Sequence, residues 1–87
     1  MKSNNLTILD RLNEIIESIE LIEEWSNFAA NASDFMLSPN GVMAFNACVM
    51  RLQVIGEDVG KLLRDESKPL EGYDSIPWHA IYNMRNF

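Results

Sequence analysis

The sequence predicts an all-α protein, an antiparallel helical bundle of two long helices and a shorter third, and three observations carry that expectation. Apolar residues recur at alternating steps of three and four along two long stretches. No stretch alternates apolar and polar residues with the period of two that marks a half-buried strand. The periodic stretches are separated by segments rich in Asn, Ser, Asp, Pro and Gly, and each opens on residues that start helices.

The first helix is expected over 7–30. Thr7 and Asp10 read as a capping box, and Ile8, Leu12, Ile15, Ile19 and Ile22 follow at helical spacing. Leu9, Ile16 and Trp25 widen the stripe, which suits a helix that touches two neighbours in a bundle. Glu14, Glu17, Glu20, Glu23 and Glu24 supply most of the acidity. They could present a surface to a cation or a basic partner, but charge of this pattern is read as a solvated outer face.

Between Ser26 and Ser38 the periodicity fails, and Asn27, Asn31, Ser33 and Asp34 give the composition of a connection. Ser38 then serves as cap with Pro39 in the first turn, and Leu37 is placed to staple onto Val42. The second helix is expected over 39–64, with Val42, Phe45, Val49, Leu52, Gly56, Val59 and Leu63 along one stripe. Antiparallel packing on the first helix would be seamed by Ile8, Leu12, Ile15, Ile19, Val49, Leu52, Ile55 and Val59. Gly56 interrupts the apolar stripe at a cost of about 1 kcal/mol against alanine. Close approach of a packed helix is the favoured reason, and access of a ligand or partner beside Glu57 the alternative. Glu57 and Lys61 stand at i, i+4 as a surface pair.

Residues 65–75, DESKPLEGYDS, form a polar loop. The third helix is expected over 77–87, with Pro77 in its first turn and Asp74 and Ser75 as candidate caps. Ile81, Met84 and Phe87 lie on one stripe, and Trp78, Tyr82 and Arg85 on its neighbour. The pattern still runs at Phe87, which reads as a helix cut short in a single domain over 1–87 that lacks its C-terminal part.

With 87 residues the chain buries a limited core, and self-association is expected through Trp78, Ile81, Met84 and Phe87 as interface residues of a homodimer. The net charge of −6 means that any nucleic-acid role needs a local basic patch. Cys48 is the only cysteine, which fits a reducing cytoplasm and excludes an internal disulfide. The sequence has no signal-peptide pattern and no stretch suited to a membrane. Gly41, Gly56, Gly60 and Gly72 match neither phosphate-loop nor dinucleotide spacing, so no cofactor is expected. His79, the only histidine, has no partner at the spacing of helical zinc motifs, so no metal is expected; it is read as a surface or capping residue, not a general base.

The run NACVMRLQVIGEDVGKLL, followed after an acidic Pro/Gly loop by SIPWHAIYNMRNF, resembles the HepT-type toxins of the HEPN superfamily. The combination of Ile-Gly-Glu, Ile-Pro-Trp and Met-Arg-Asn is more specific than any of those triplets alone, and the resemblance covers most of the chain. It implies a metal-independent RNA endonuclease, the toxin of a toxin–antitoxin pair whose partner is a minimal nucleotidyltransferase antitoxin. In that family an Arg-(x)4-6-His motif, usually followed by a Tyr two residues after the His, lies at a dimer cleft. Arg85 and Asn86 match its start and are the catalytic candidates. An arginine fork can hold the scissile phosphate while a histidine moves the protons for attack by the ribose 2′-hydroxyl. No His or Tyr follows Arg85 in this sequence, and His79 lies on its other side. The resemblance thus implies an intact parent that cuts RNA and an 87-residue chain that does not. The alternatives from other classes are a non-catalytic helical dimer or protein-interaction module, and a truncated product that retains only the packing role.

Overall fold

The computed structural model describes residues 4–86. Among them there is no strand, and the order of elements is α1 (Asn4–Ser26), a 3₁₀ helix (Ala32–Leu37), α2 (Pro39–Arg64), α3 (Trp78–Tyr82) and a second 3₁₀ turn (Asn83–Asn86). The two long helices pack antiparallel, as expected. Arg11 reaches Asp58 and Ser18 receives Arg51, so position rises along α1 as it falls along α2.

The boundaries of α1 differ from the expected 7–30. The helix is already formed at Asn4, so Thr7 and Asp10 lie inside it and do not cap it. It stops at Ser26, whose hydroxyl donates back to the Ile22 carbonyl at 2.6 Å, while the Ala29 N–H closes a turn on the Ser26 carbonyl at 3.0 Å. The connection that follows is not a plain loop. Asn31 Oδ1 accepts from the Ser33 N–H, and Asp34 Oδ2 accepts from the N–H groups of Ala30 and Asn31 at 2.7 and 3.2 Å. Turn-forming residues here build a capping box that opens the 3₁₀ helix. Phe35 then meets Phe28 and Phe45 edge-on, with ring centroids 5.2 and 5.6 Å apart.

Ser38 caps α2, its Oγ accepting from the Gly41 N–H at 3.0 Å, with Pro39 in the first turn. The Leu37 staple is not made, because Leu37 is 81% exposed. The Phe35 backbone covers Gly41 instead, where a β-carbon would strike its carbonyl. After α2 the loop advances by successive turns, with Lys68 and Gly72 at positive φ and Leu70 buried beneath it.

The third helix is shorter than the expected 77–87. The α-helical part is Trp78–Tyr82, the chain then tightens into the 3₁₀ turn, and Phe87 lies outside the described residues. The tightening coincides with close packing on α2, described below. The seam is also less buried than expected: Ile55 and Val59 are buried, Ile8, Leu12, Ile15, Val49 and Leu52 are half-buried, and Ile19 is 45% exposed. Part of the face that α1 turns toward α2 is polar, occupied by Arg11 and the fully buried Ser18. Part of the apolar stripe is consequently left beside an open groove.

Candidate functional site

Two glycines bring the C-terminal segment onto α2. A β-carbon on Gly56 would stand 2.6 Å from the Arg85 N and 2.9 Å from the Tyr82 carbonyl oxygen, both backbone atoms with no freedom to give way. One turn later a β-carbon on Gly60 would strike the Tyr82 ring. The helix-breaking cost of Gly56 is therefore offset by close packing. That contact fixes where the backbone of Arg85 sits.

From this anchor the Arg85 side chain lies over the Tyr82 ring, its guanidinium carbon 4.3 Å from the ring centroid, and Nη1 donates to Asn86 Oδ1 at 3.1 Å. Stacking orients the guanidinium plane and leaves most of its N–H donors unused. Among the described residues Arg85 makes no ion pair, and its side chain is half-buried. It edges an open cleft of about 420 Å³ whose polar lining is Glu14, Gln53, Glu57, Asp58 and Lys61. Of the two catalytic candidates, Arg85 edges this cleft and the exposed Asn86 accepts from its guanidinium; His79 is exposed and lines a different hollow with Lys68, Glu71 and Asp74.

Nothing in the residue pattern points to Asp58 as a buried group. It is 3% exposed, and Oδ1 meets Arg11 Nη1 at 3.5 Å. Oδ2 is buried without a hydrogen-bond donor. Burial first, and then the Glu14 carboxyl beside it, push the Asp58 carboxyl up to about 7, with Arg11 opposing the rise. With Asp58 in its acid form, Glu14 and Glu57 face Lys61 and Arg85, and the cleft is near neutral in an acidic protein.

This has a measurable consequence for stability. In the unfolded chain Asp58 titrates near its ordinary 3.8, so between there and about 7 the folded chain binds the extra proton. The stabilisation is complete below the unfolded value and is lost as pH rises through the folded one. Thermal melting followed from pH 5 to pH 8 should show a falling melting temperature, and Asp58→Asn should flatten that fall. An unchanged slope in the variant would contradict the assignment.

Of the expected interface residues, Trp78, Ile81 and Met84 are half-buried and line an apolar groove of about 470 Å³ between α1 and α3. This groove shares no lining residue with the Arg85 cleft. Leu52, Ile55 and Val59 belong to one flank of α2, Gln53, Glu57 and Lys61 to another. Cys48 is buried, and that burial pushes its thiol up. Among the described residues no group of three His, Cys, Asp or Glu could hold a metal ion, and no helix is long and apolar enough to cross a membrane.

No protein-family model matches the chain, and no solved structure matches it. It is similar to the Methanocaldococcus jannaschii protein named "Gamma-glutamylcyclotransferase and putative RNase MJ0434", with 36% identity over 75 residues. The match takes in 86% of this chain and 31% of that protein, so the chain spans about a third of the length of this curated relative.

Proposed function

We propose that the chain is the RNA-holding helical domain of a HepT-like toxin, a cytoplasmic, metal-independent RNA endonuclease in its intact form, in which Arg85 grips the scissile phosphate and Asn86 steadies it. The observation that carries this reading is the state of Arg85: backbone-anchored on Gly56, stacked on Tyr82, open to a cleft and without a carboxylate partner among the described residues. An arginine held this way has donors in reserve for a bidentate phosphate contact. The RNase in the name of the archaeal relative favours the same chemistry. In this reading two copies pair so that both Arg85 side chains face one cleft and supply the local positive charge that a net charge of −6 otherwise denies. A nucleotidyltransferase-type antitoxin neutralises the pair. A second reading, a non-catalytic protein-interaction module, is favoured by the open apolar groove beside α3.

Fluorescence anisotropy with a labelled single-stranded RNA separates the two. For the ribonuclease-type site, Arg85→Ala should weaken binding and lower the salt dependence by about one phosphate contact. Equal affinity and equal salt dependence in the two proteins would leave the interaction module as the better account.

A further inference from the structure

Gly60 gathers more than the Tyr82 ring. The point where its β-carbon would strike Tyr82 Cδ1 and Cε1 also lies 3.4 Å from Arg64 Nη1, so a second arginine reaches the ring that Arg85 covers. Lys61 stands three residues before Arg64 and lines the Arg85 cleft, and both α2 side chains are exposed. At that spacing the two share one flank of the helix. The other cations among the described residues are placed elsewhere: Arg11 on Asp58, Arg51 on Ser18, and Lys68 in the hollow with His79.

Three cations therefore converge around Tyr82, and the acids of the cleft leave all of them unpaired. Among the described residues the ion pair is Arg11 with Asp58, and the Glu57–Lys61 pair that spacing suggests is not formed. Like charges so placed repel one another. The last turn of α2 favours cations through the helix dipole, which accounts for Lys61 and Arg64 being basic. It does not account for Arg64 reaching the ring on which a third cation already lies. Anions relieve the repulsion, and cations strung along one flank suit the repeated charge of a nucleic-acid strand better than a single ion. In a chain of net charge −6 this is the local basic patch that RNA binding requires. Building on the ribonuclease reading, we propose that Lys61 and Arg64 are positioning residues, each holding a phosphate that flanks the one gripped by Arg85. The substrate they fit is a single strand that runs past the cut, not a dinucleotide.

The probe is a labelled octauridylate, and its affinity is followed by anisotropy as a function of salt. A single strand gives a slope of about −0.7 in log affinity against log salt for each phosphate neutralised, so the parent should give about −2. Lys61→Gln and Arg64→Gln should each bring the slope to about −1.4, and the double variant to about −0.7. Arg64→Lys, which keeps the charge, should keep the parent slope. All four should melt within a few degrees of the parent, because both side chains are exposed. A parent slope in the α2 variants while Arg85→Ala lowers it would overturn the flanking role and leave the Arg85 reading standing. A parent slope with a lowered melting temperature in Arg64→Gln would reduce that residue to its place at the helix end. A parent slope in Arg85→Ala, or no binding of the octauridylate, would overturn the Arg85 reading and the flanking role with it.

Discussion

Arg85→Ala should remove RNA cleavage almost entirely from a form of this chain extended past Phe87 so that a histidine stands five positions beyond Arg85. Deleting one positioned donor to a reacting oxyanion costs about 10²- to 10³-fold in rate, and a bidentate arginine offers two such donors. Arg85→Lys keeps the charge and loses the planar fork, so it should recover only a minor part of the rate. The substitution should not unfold the protein, because the side chain is half-buried and the packing against α2 is made by its backbone. Cleavage should persist in EDTA, and should leave a 2′,3′-cyclic phosphate if the ribose hydroxyl attacks. Equal rates for the parent and Arg85→Ala, or no cut by the extended parent, would remove Arg85 from the chemistry.

Gly56→Val should destabilise the fold by about 1–3 kcal/mol, the usual cost of forcing extra carbon into a packed contact. On surface propensity alone a side chain would be welcome here, since glycine is the poorest ordinary helix former. The sign reverses because the atoms in the way, the Arg85 N and the Tyr82 carbonyl oxygen, are backbone. Thermal melting by circular dichroism should fall by about 4–8 °C for each kcal/mol. RNA affinity should fall with it, as the turn that carries Arg85 is pushed off α2. A variant that melts at or above the parent temperature would mean that the segment does not rest on Gly56.

The two long helices were legible because their signals are local and repeated: a three-four stripe in each, with Ser38 and Pro39 opening the second. Gly56 was legible in kind, since a glycine inside an apolar helical stripe needs a packing reason, though its contact on the Arg85 backbone depends on a chain reversal that no spacing encodes. The 3₁₀ helix at Ala32–Leu37 was missed because Asn31 and Asp34 serve equally well in a loop and in a capping box. The third helix was overextended for a tertiary reason: apolar spacing continues to the end of the sequence, while contact with α2 accompanies a tighter turn after Tyr82. Asp58 escaped because an acidic residue next to Glu57 on a helix reads as solvent-facing. Only the crossing of α1 buries it against Arg11 and Glu14. The Tyr82–Arg85 stack has a usable signal, an aromatic and an arginine at i, i+3, which helical spacing alone reads as part of a stripe and not as a pair.

The most direct test of phosphate binding at Arg85 is a nuclear magnetic resonance titration of the isotope-labelled chain with a short single-stranded RNA. The side-chain Nε–H of Arg85 and the amides of Gly56, Glu57, Lys61 and Asn86 should shift together and saturate at one RNA concentration. Shifts confined to Trp78, Ile81 and the apolar groove, or an Arg85 resonance that stays in place while RNA binds, would contradict it.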